Sequence, residues 1–392
     1  MKSIFLVLPL SSSFSQSFDI SQNIDSINQS IVVGAKKIDS YLPLLYDKSV
    51  GIVSNQSSLV DDIHIVDTLL SLDVRLNCIF SPEHGFRGNE DAGDHIYNEI
   101  DHKTKLPIIS LYGKNKKPTA YQLSNIDVLI FDLQDVGVRF YTYISTLHYV
   151  MEACAENNIT LIILDRPNPN GHYIDGPVLD IRFSSFVGMH PVPIVYGMTI
   201  AEYAKMINGE KWLKNKLSCQ LIIISCDNYN HSSPYLLPVP PSPNLRSDIS
   251  IQLYPSLCLF EATTVSVGRG TDFPFECYGH PDFSKTEFLF IPKKSYGSKN
   301  PKHKDKLCNG YNLNQPKYKR LDRFDLSFLL NAKKELEGKV FVNRYDFFNL
   351  LAGNDLLIRQ LENGMNESQI RDTWEKELDN FKLIRLKYLI YD

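Results

Sequence analysis

The sequence predicts an α/β fold with a mostly parallel, Rossmann-like sheet and helices on both faces. Three observations predict it. Short apolar runs of strand length recur between residues 49 and 225, segments with apolar residues at helical spacing separate them, and the loops after the runs are dense in charged residues, Asn and Gly. Strands alternating with helices in this way build βαβ units, whose crossovers cover both faces of the sheet.

Residues 16–30, rich in Ser, Asn and Gln, read as a leader, and 38–45 as a short helix. The first strand spans 49–54 and runs into the polar turn Asn55-Gln56-Ser57-Ser58. A dinucleotide-binding fold carries G-x-G-x-x-G here; its absence argues against a nicotinamide or flavin enzyme. Residues 62–72 have helical spacing and make the first crossover. The second strand, 74–80, stops at Pro82, and further strands follow at 106–111, 127–133, 160–164 and 217–225. A helix carries Ile144, Leu147, Val150, Met151 and Cys154 on one stripe. Thr199-Ile200-Ala201-Glu202 is a capping box that opens a helix through Ile207. The proline-dense stretch 237–244 is stiff and extended, either an interdomain linker or a rigid wall over a site. Beyond it, 257–261 is apolar and then acidic. The Lys-rich stretch 293–306 reads as a solvated loop. Helical patterns recur at 325–336, 345–361 and 366–380, and 381–391 docks as helix or strand.

With 392 residues the chain has room for two domains, and a net charge of −4 implies no basic face for nucleic acid. The start combines Lys2, an apolar run over 4–10 and a Ser-rich end near Ser15. That is the pattern of a cleaved secretory leader over 1–15, and it predicts an exported protein, periplasmic or secreted. The run is too short to span a bilayer, and no later segment is a membrane helix. No Cys lies near the predicted cleavage site, so no lipoprotein anchor is expected. The seven Cys form no C-x-x-C pair and read as small buried hydrophobes.

Three strand-end loops, 81–95, 134–143 and 165–177, carry most of the polar residues, and on a parallel sheet they converge on one edge as a binding cleft. The first holds Ser81-Pro82-Glu83-His84-Gly85-Phe86-Arg87-Gly88. Glu83 can act as a general acid or base, and Arg87 can hold an anion; equally, the two can pair and pin the loop. His84 can anchor the loop or serve the site. Glycoside hydrolysis needs two groups, usually carboxylates, about 5 to 9.5 Å apart. Glu83, Asp135, Asp165, Asp175, Glu261 and Asp272 are the candidates. The acid and imidazole cluster Glu83, His84, Asp91, Asp94, His95 and His102 has no zinc spacing, and there is no G-x-S-x-G elbow. The lone Gly268-Arg269-Gly270 suits phosphate binding or a close backbone approach equally.

Several segments resemble the exo-β-N-acetylmuramidase family: residues 51–56, 80–88, FDLQDVGVRFYTYISTL at 131–147, LDRPNPNG at 164–171, 196–199, VPPSPN at 239–244, and CLFEATTVSVGRGTDFPFE at 258–276. The resemblance runs from about residue 32 to the end. It implies a Rossmann-like catalytic domain over 32–245, a smaller α/β domain over 246–392 and an active-site cleft between them. It also implies exo-hydrolysis of terminal β-1,4-linked N-acetylmuramic acid from peptidoglycan fragments, with no cofactor and no metal. By this resemblance Glu83 is the catalytic acid, with His84 beside it. Glu261 is the chosen partner, and Asp135, Asp165 and Tyr141 are the alternatives. Asn55, Arg87, Asp135, Arg139, Tyr141, Asp165, Arg166, Asn168, Asn170, Arg269 and Asp272 are the expected substrate-binding residues. An arginine among them suits the lactyl carboxylate of the sugar, and Tyr141 and Tyr143 suit its faces. The chain departs from the family at Asp175, where Glu is expected, and at Ala262, where Gly is expected. A non-catalytic cell-wall sugar-binding protein and a metal-dependent hydrolase are the alternatives. The sequence leaves the oligomeric state open.

Overall fold

The computed structural model describes residues 31–83, 85, 86 and 99–392. The leader, His84, Arg87 and the remainder of the first strand-end loop, with Asp91, Asp94 and His95, lie outside the described residues. Val50–Ser54 (β1), Leu76–Ser81 (β4), Pro107–Ser110 (β6), Val128–Asp132 (β7), Thr160–Leu164 (β8) and Leu221–Ile224 (β9) form the parallel sheet. Leu59–Val60 (β2) and Ile63–His64 (β3) make a separate small hairpin, and Glu99–Ile100 (β5) adds an antiparallel edge. The order is β5-β6-β4-β1-β7-β8-β9. Its six parallel strands follow the doubly wound order 3-2-1-4-5-6, so the chain reverses direction between β1 and β7. β1 and β7 are buried along their whole length, and the continuous apolar runs follow from helices covering both faces.

Ile38–Tyr41 (α1) is one helical turn continued as a 3-10 turn over Leu42–Leu44. The crossover expected over 62–72 starts later, as Ile65–Ser71 (α2). Asp61, at φ 51°, turns β2 back onto β3, and the His64 side chain caps α2 by accepting from the Val66 amide. Ala120–Leu123 (α3) precedes β7. Tyr143–Asn157 (α4) ends on Asn158 in the left-handed conformation, a common helix stop. Ile200–Gly209 (α5) opens with the expected box, Thr199 capping the Glu202 amide and the Glu202 carboxylate capping Thr199.

Asp248–Leu257 (α6) carries no obvious signal because Pro255 sits inside it. Proline removes the amide that would bond the Ile251 carbonyl. The Asn170 side chain donates to that carbonyl at 3.3 Å and repairs the helix from outside. The C-terminal part holds a three-stranded antiparallel sheet of Cys277–His280 (β10), Phe288–Phe290 (β11) and Cys308–Asn312 (β12), ordered β10-β12-β11. Ser327–Glu335 (α7) follows. The pattern over 345–361 is two helices, Tyr345–Ala352 (α8) and Leu356–Glu362 (α9), broken at Gly353 with φ 78°. A Cβ on Gly353 would stand 2.6 Å from an Arg139 terminal nitrogen. The pattern over 366–380 is also two helices, Glu367–Asp372 (α10) and Glu375–Arg385 (α11). All seven cysteines are buried free thiols.

Candidate active site

A cavity of about 430 Å³ opens above the ends of the parallel strands, within the range of small-molecule sites. The sheet supplies Glu83 from the loop after β4 and Phe140 to Tyr143 from the loop that leads into α4. Ser242, Asn244 and Leu245 close one side. Tyr254 and Cys258, Glu261, Arg269, Phe275, Arg344 and Phe347 close the other. Tyr112 and Phe186 complete an aromatic wall.

Glu83 is partly buried, and Oε2 accepts from the Thr142 hydroxyl at 3.2 Å. Thr142 is the N-cap of the fifteen-residue α4, so the carboxylate sits at the positive end of a helix. Tyr141 is buried with its hydroxyl donating to the Pro241 carbonyl at 2.8 Å. Its ring meets Tyr143 edge-on at 4.7 Å. Burial pushes both phenols well above their ordinary range, so they stand as neutral donors. Gln56 also donates to the Pro240 and Pro241 carbonyls. The proline stretch is therefore a wall fastened to the sheet rather than a free linker.

Glu261 lies on a 3-10 turn over Cys258–Ala262, with Arg269 Nε 3.5 Å from its Oε1. Ala262 is absent from the positive-φ residues, so alanine at the position where the resemblance implies glycine costs no backbone strain. Lys302, expected in a solvated loop, instead donates from Nζ to the Phe260 and Val265 carbonyls at 2.6 and 3.2 Å. Burial pulls its ammonium down to about 8, with Arg269 and Arg344 adding to the shift and Glu261 opposing it.

Several residues expected to touch substrate are committed to the fold instead. Asn55 Nδ2 donates to the Tyr143 hydroxyl from behind the pocket, and its Oδ1 accepts from Ser57. Asp135 accepts from the Gly137 amide and the Tyr196 hydroxyl, and burial raises its carboxyl to about 6. Arg139, fully buried, donates to the carbonyls of Pro177, Val192, Leu351 and Ala352. Asp165 accepts from the Tyr391 hydroxyl at 2.7 Å and the Ala201 amide at 3.1 Å. Arg166 forms a buried two-pronged pair with Asp132 at 2.6 and 2.9 Å. Asn168 donates to the Met198 carbonyl and crowds Gly137, whose Cβ would fall 2.1 Å from Asn168 Oδ1. Asn170 bonds the Val136 and Ile251 carbonyls. Asp175 binds Arg371 and the Phe324 amide. Asp272 is exposed and outside the cavity lining. The physical reason is common to these buried groups: polar residues packed under strand-end loops must satisfy the loop backbone before they can serve a ligand.

Of the expected site residues that the structure describes, Glu83, Glu261, Tyr141 and Arg269 meet on the cavity. Sequence reasoning missed Tyr254, Arg344 and Phe347, which come from α6 and the start of α8. Only the VPPSPN resemblance pointed to Asn244.

Two carboxylates and two guanidinium groups in an aromatic cavity over the strand ends make this an α/β protein with the composition of a carbohydrate-processing site. The family profile "Exo-beta-N-acetylmuramidase NamZ, N-terminal" matches residues 50–249, and its C-terminal counterpart matches 252–391. The chain belongs to the exo-β-N-acetylmuramidase family. It is 37% identical to the peptidoglycan β-N-acetylmuramidase NamZ of Bacillus subtilis, with each chain covered completely. Two crystal structures of DUF1343 family proteins from Bacteroides fragilis share the fold. One is 43% identical with a TM-score of 0.85, covering 92% of this chain and 99% of its own. The other is 28% identical with a TM-score of 0.80, covering 93% and 99%.

Proposed function

We propose that this chain is an exported exo-acting glycosidase. It hydrolyses the β-1,4 bond of a terminal N-acetylmuramic acid at the non-reducing end of peptidoglycan fragments. The observation that carries the reading is the meeting of Glu83 and Glu261, distant in sequence, on one aromatic-walled cavity. Glu83 protonates the leaving oxygen as the glycosidic bond breaks, Glu261 faces the positive charge that grows on the anomeric carbon, and a water adds to that carbon and gives up its proton to a site carboxylate. Tyr254 and Phe186 pack against the sugar. Export is supported by the charged, apolar and small-residue order of residues 1–15.

The test is release of a chromophore from a β-N-acetylmuramide, run beside the matching β-N-acetylglucosaminide. Glu83→Gln is expected to lower kcat about 10²- to 10⁴-fold while retaining product binding. Undiminished turnover in that variant rejects Glu83 as the acid. Mass analysis of protein recovered outside the cell checks the leader: a chain still carrying residues 1–15 refutes cleavage.

A further inference from the structure

The cavity is electrically lopsided. The sheet contributes Glu83, whereas the C-terminal part contributes Arg269 and Arg344, with the Lys302 ammonium near them, and the single carboxylate of Glu261. Neither guanidinium is used up by the fold. Arg269 lies 5.8 Å from the Phe275 ring, and its Nε, though buried, makes no hydrogen bond among the described residues. Its contact with Glu261, at 3.5 Å, is an ion pair too long for a good hydrogen bond. Arg344 stands exposed at the mouth, its guanidinium 4.2 Å from the Phe347 ring, with no ion pair among the described residues. A guanidinium held against an aromatic ring keeps its N–H edge for a ligand.

The backbone ties Arg344 to the Glu261 turn. The Arg344 amide donates to the Ala262 carbonyl at 3.2 Å, beside Glu261, and Thr263 pairs with Val342. The other described arginines of the matched loops are committed elsewhere: Arg139 to four carbonyls and Arg166 to Asp132 and the Leu59 carbonyl.

We infer that Arg269 and Arg344 form a carboxylate-recognition lobe, which selects a sugar bearing an acidic substituent over its neutral analogue. This rests on the reading of the cavity as a muramidase site and identifies its specificity residues. Arg269 supplies the half-buried, charge-assisted bonds, and Arg344 captures the anion at the mouth. They are specificity residues, and the chemistry stays with the carboxylates.

The test pairs protein variants with a neutralised substrate. Wild type, Arg269→Met, Arg344→Met and Arg344→Lys are compared on the chromogenic β-N-acetylmuramide and on its lactyl methyl ester. Wild type is expected to prefer the acid about 10- to 100-fold in kcat/KM, mainly through KM. Arg269→Met is expected to remove most of that preference. Arg344→Met, at an exposed site, is expected to remove about three- to tenfold of it, an effect that shrinks at high salt. Arg344→Lys, which keeps the charge and loses the fork, should fall between. Equal losses on acid and ester would mean that the arginines act through Glu261 or the fold, and would overturn the proposal. So would a wild type indifferent to the ester. Calorimetric binding of N-acetylmuramic acid and its methyl ester gives the same comparison without turnover. If wild type binds the acid preferentially but cleaves nothing, the recognition lobe stands and the glycosidase reading falls.

Discussion

Arg139 donates through one terminal nitrogen to the Ala352 carbonyl at 2.7 Å, joining the loop after β7 to the end of α8, 213 positions away. The same guanidinium holds the carbonyls of Pro177, Val192 and Leu351. One planar cation thereby fastens the sheet to α8, which carries Phe347 and is preceded by Arg344. Arg139→Met leaves buried carbonyls unpaired and is expected to cost about 3–5 kcal/mol. Urea unfolding measures it; a change below about 1 kcal/mol would show that the peg is dispensable.

Tyr141 tests the proline wall. Tyr141→Phe removes the bond to the Pro241 carbonyl, which still receives Gln56. The expected loss is about 1 kcal/mol of stability and less than tenfold in kcat/KM. A fall above about 100-fold would assign the hydroxyl to the chemistry and displace Glu261 as the partner.

Asp165 gives a stability signature. Burial raises its carboxyl from 3.8 to about 6, so the folded protein keeps a proton that the unfolded chain releases. Its stabilising contribution is complete below about pH 4 and is lost as pH rises through about 6. Asp165→Asn, which resembles the protonated acid, is expected to flatten that part of the stability profile. An unchanged slope between pH 4 and 6 in denaturant titrations would count against this.

Lys302 gives a kinetic one. Its ammonium, lowered from 10.5 to about 8 chiefly by burial, stands behind Glu261 and the arginines. As it loses its proton above pH 8, KM for an anionic substrate should rise, and Lys302→Met should lack that limb. The stability sign is opposite to that of Asp165. The folded protein sheds the proton first, so the contribution is full above about 10.5 and lost as pH falls through about 8. A KM profile of Lys302→Met that keeps the limb would point to another group.

The strands were legible because they are unbroken apolar runs, as at residues 160–164, buried on both faces. The α5 capping box was legible because Thr199 and Glu202 sit at the required spacing. Helix α6 was not, because Pro255 contradicts local helical preference and is rescued by Asn170 from another loop. The breaks at Gly353 and at Asp61 likewise depend on local backbone geometry that apolar periodicity does not encode.

The sequence alone determined the α/β class, the polar strand-end loops and the family resemblance, through which Glu83 and Glu261 were chosen from several carboxylates. These depend on residue type, order and short-range spacing. Which polar residues face the cavity was decided only by the tertiary structure. Arg139, Asp165, Arg166, Asn168 and Asn170 look as functional in sequence as Arg269. Yet each commits hydrogen bonds to buried backbone or a buried partner, and that demand exists only once the loops are packed. Arg344 was invisible for the converse reason. Its place at the mouth comes from a contact between α8 and the Glu261 turn, which no local pattern records.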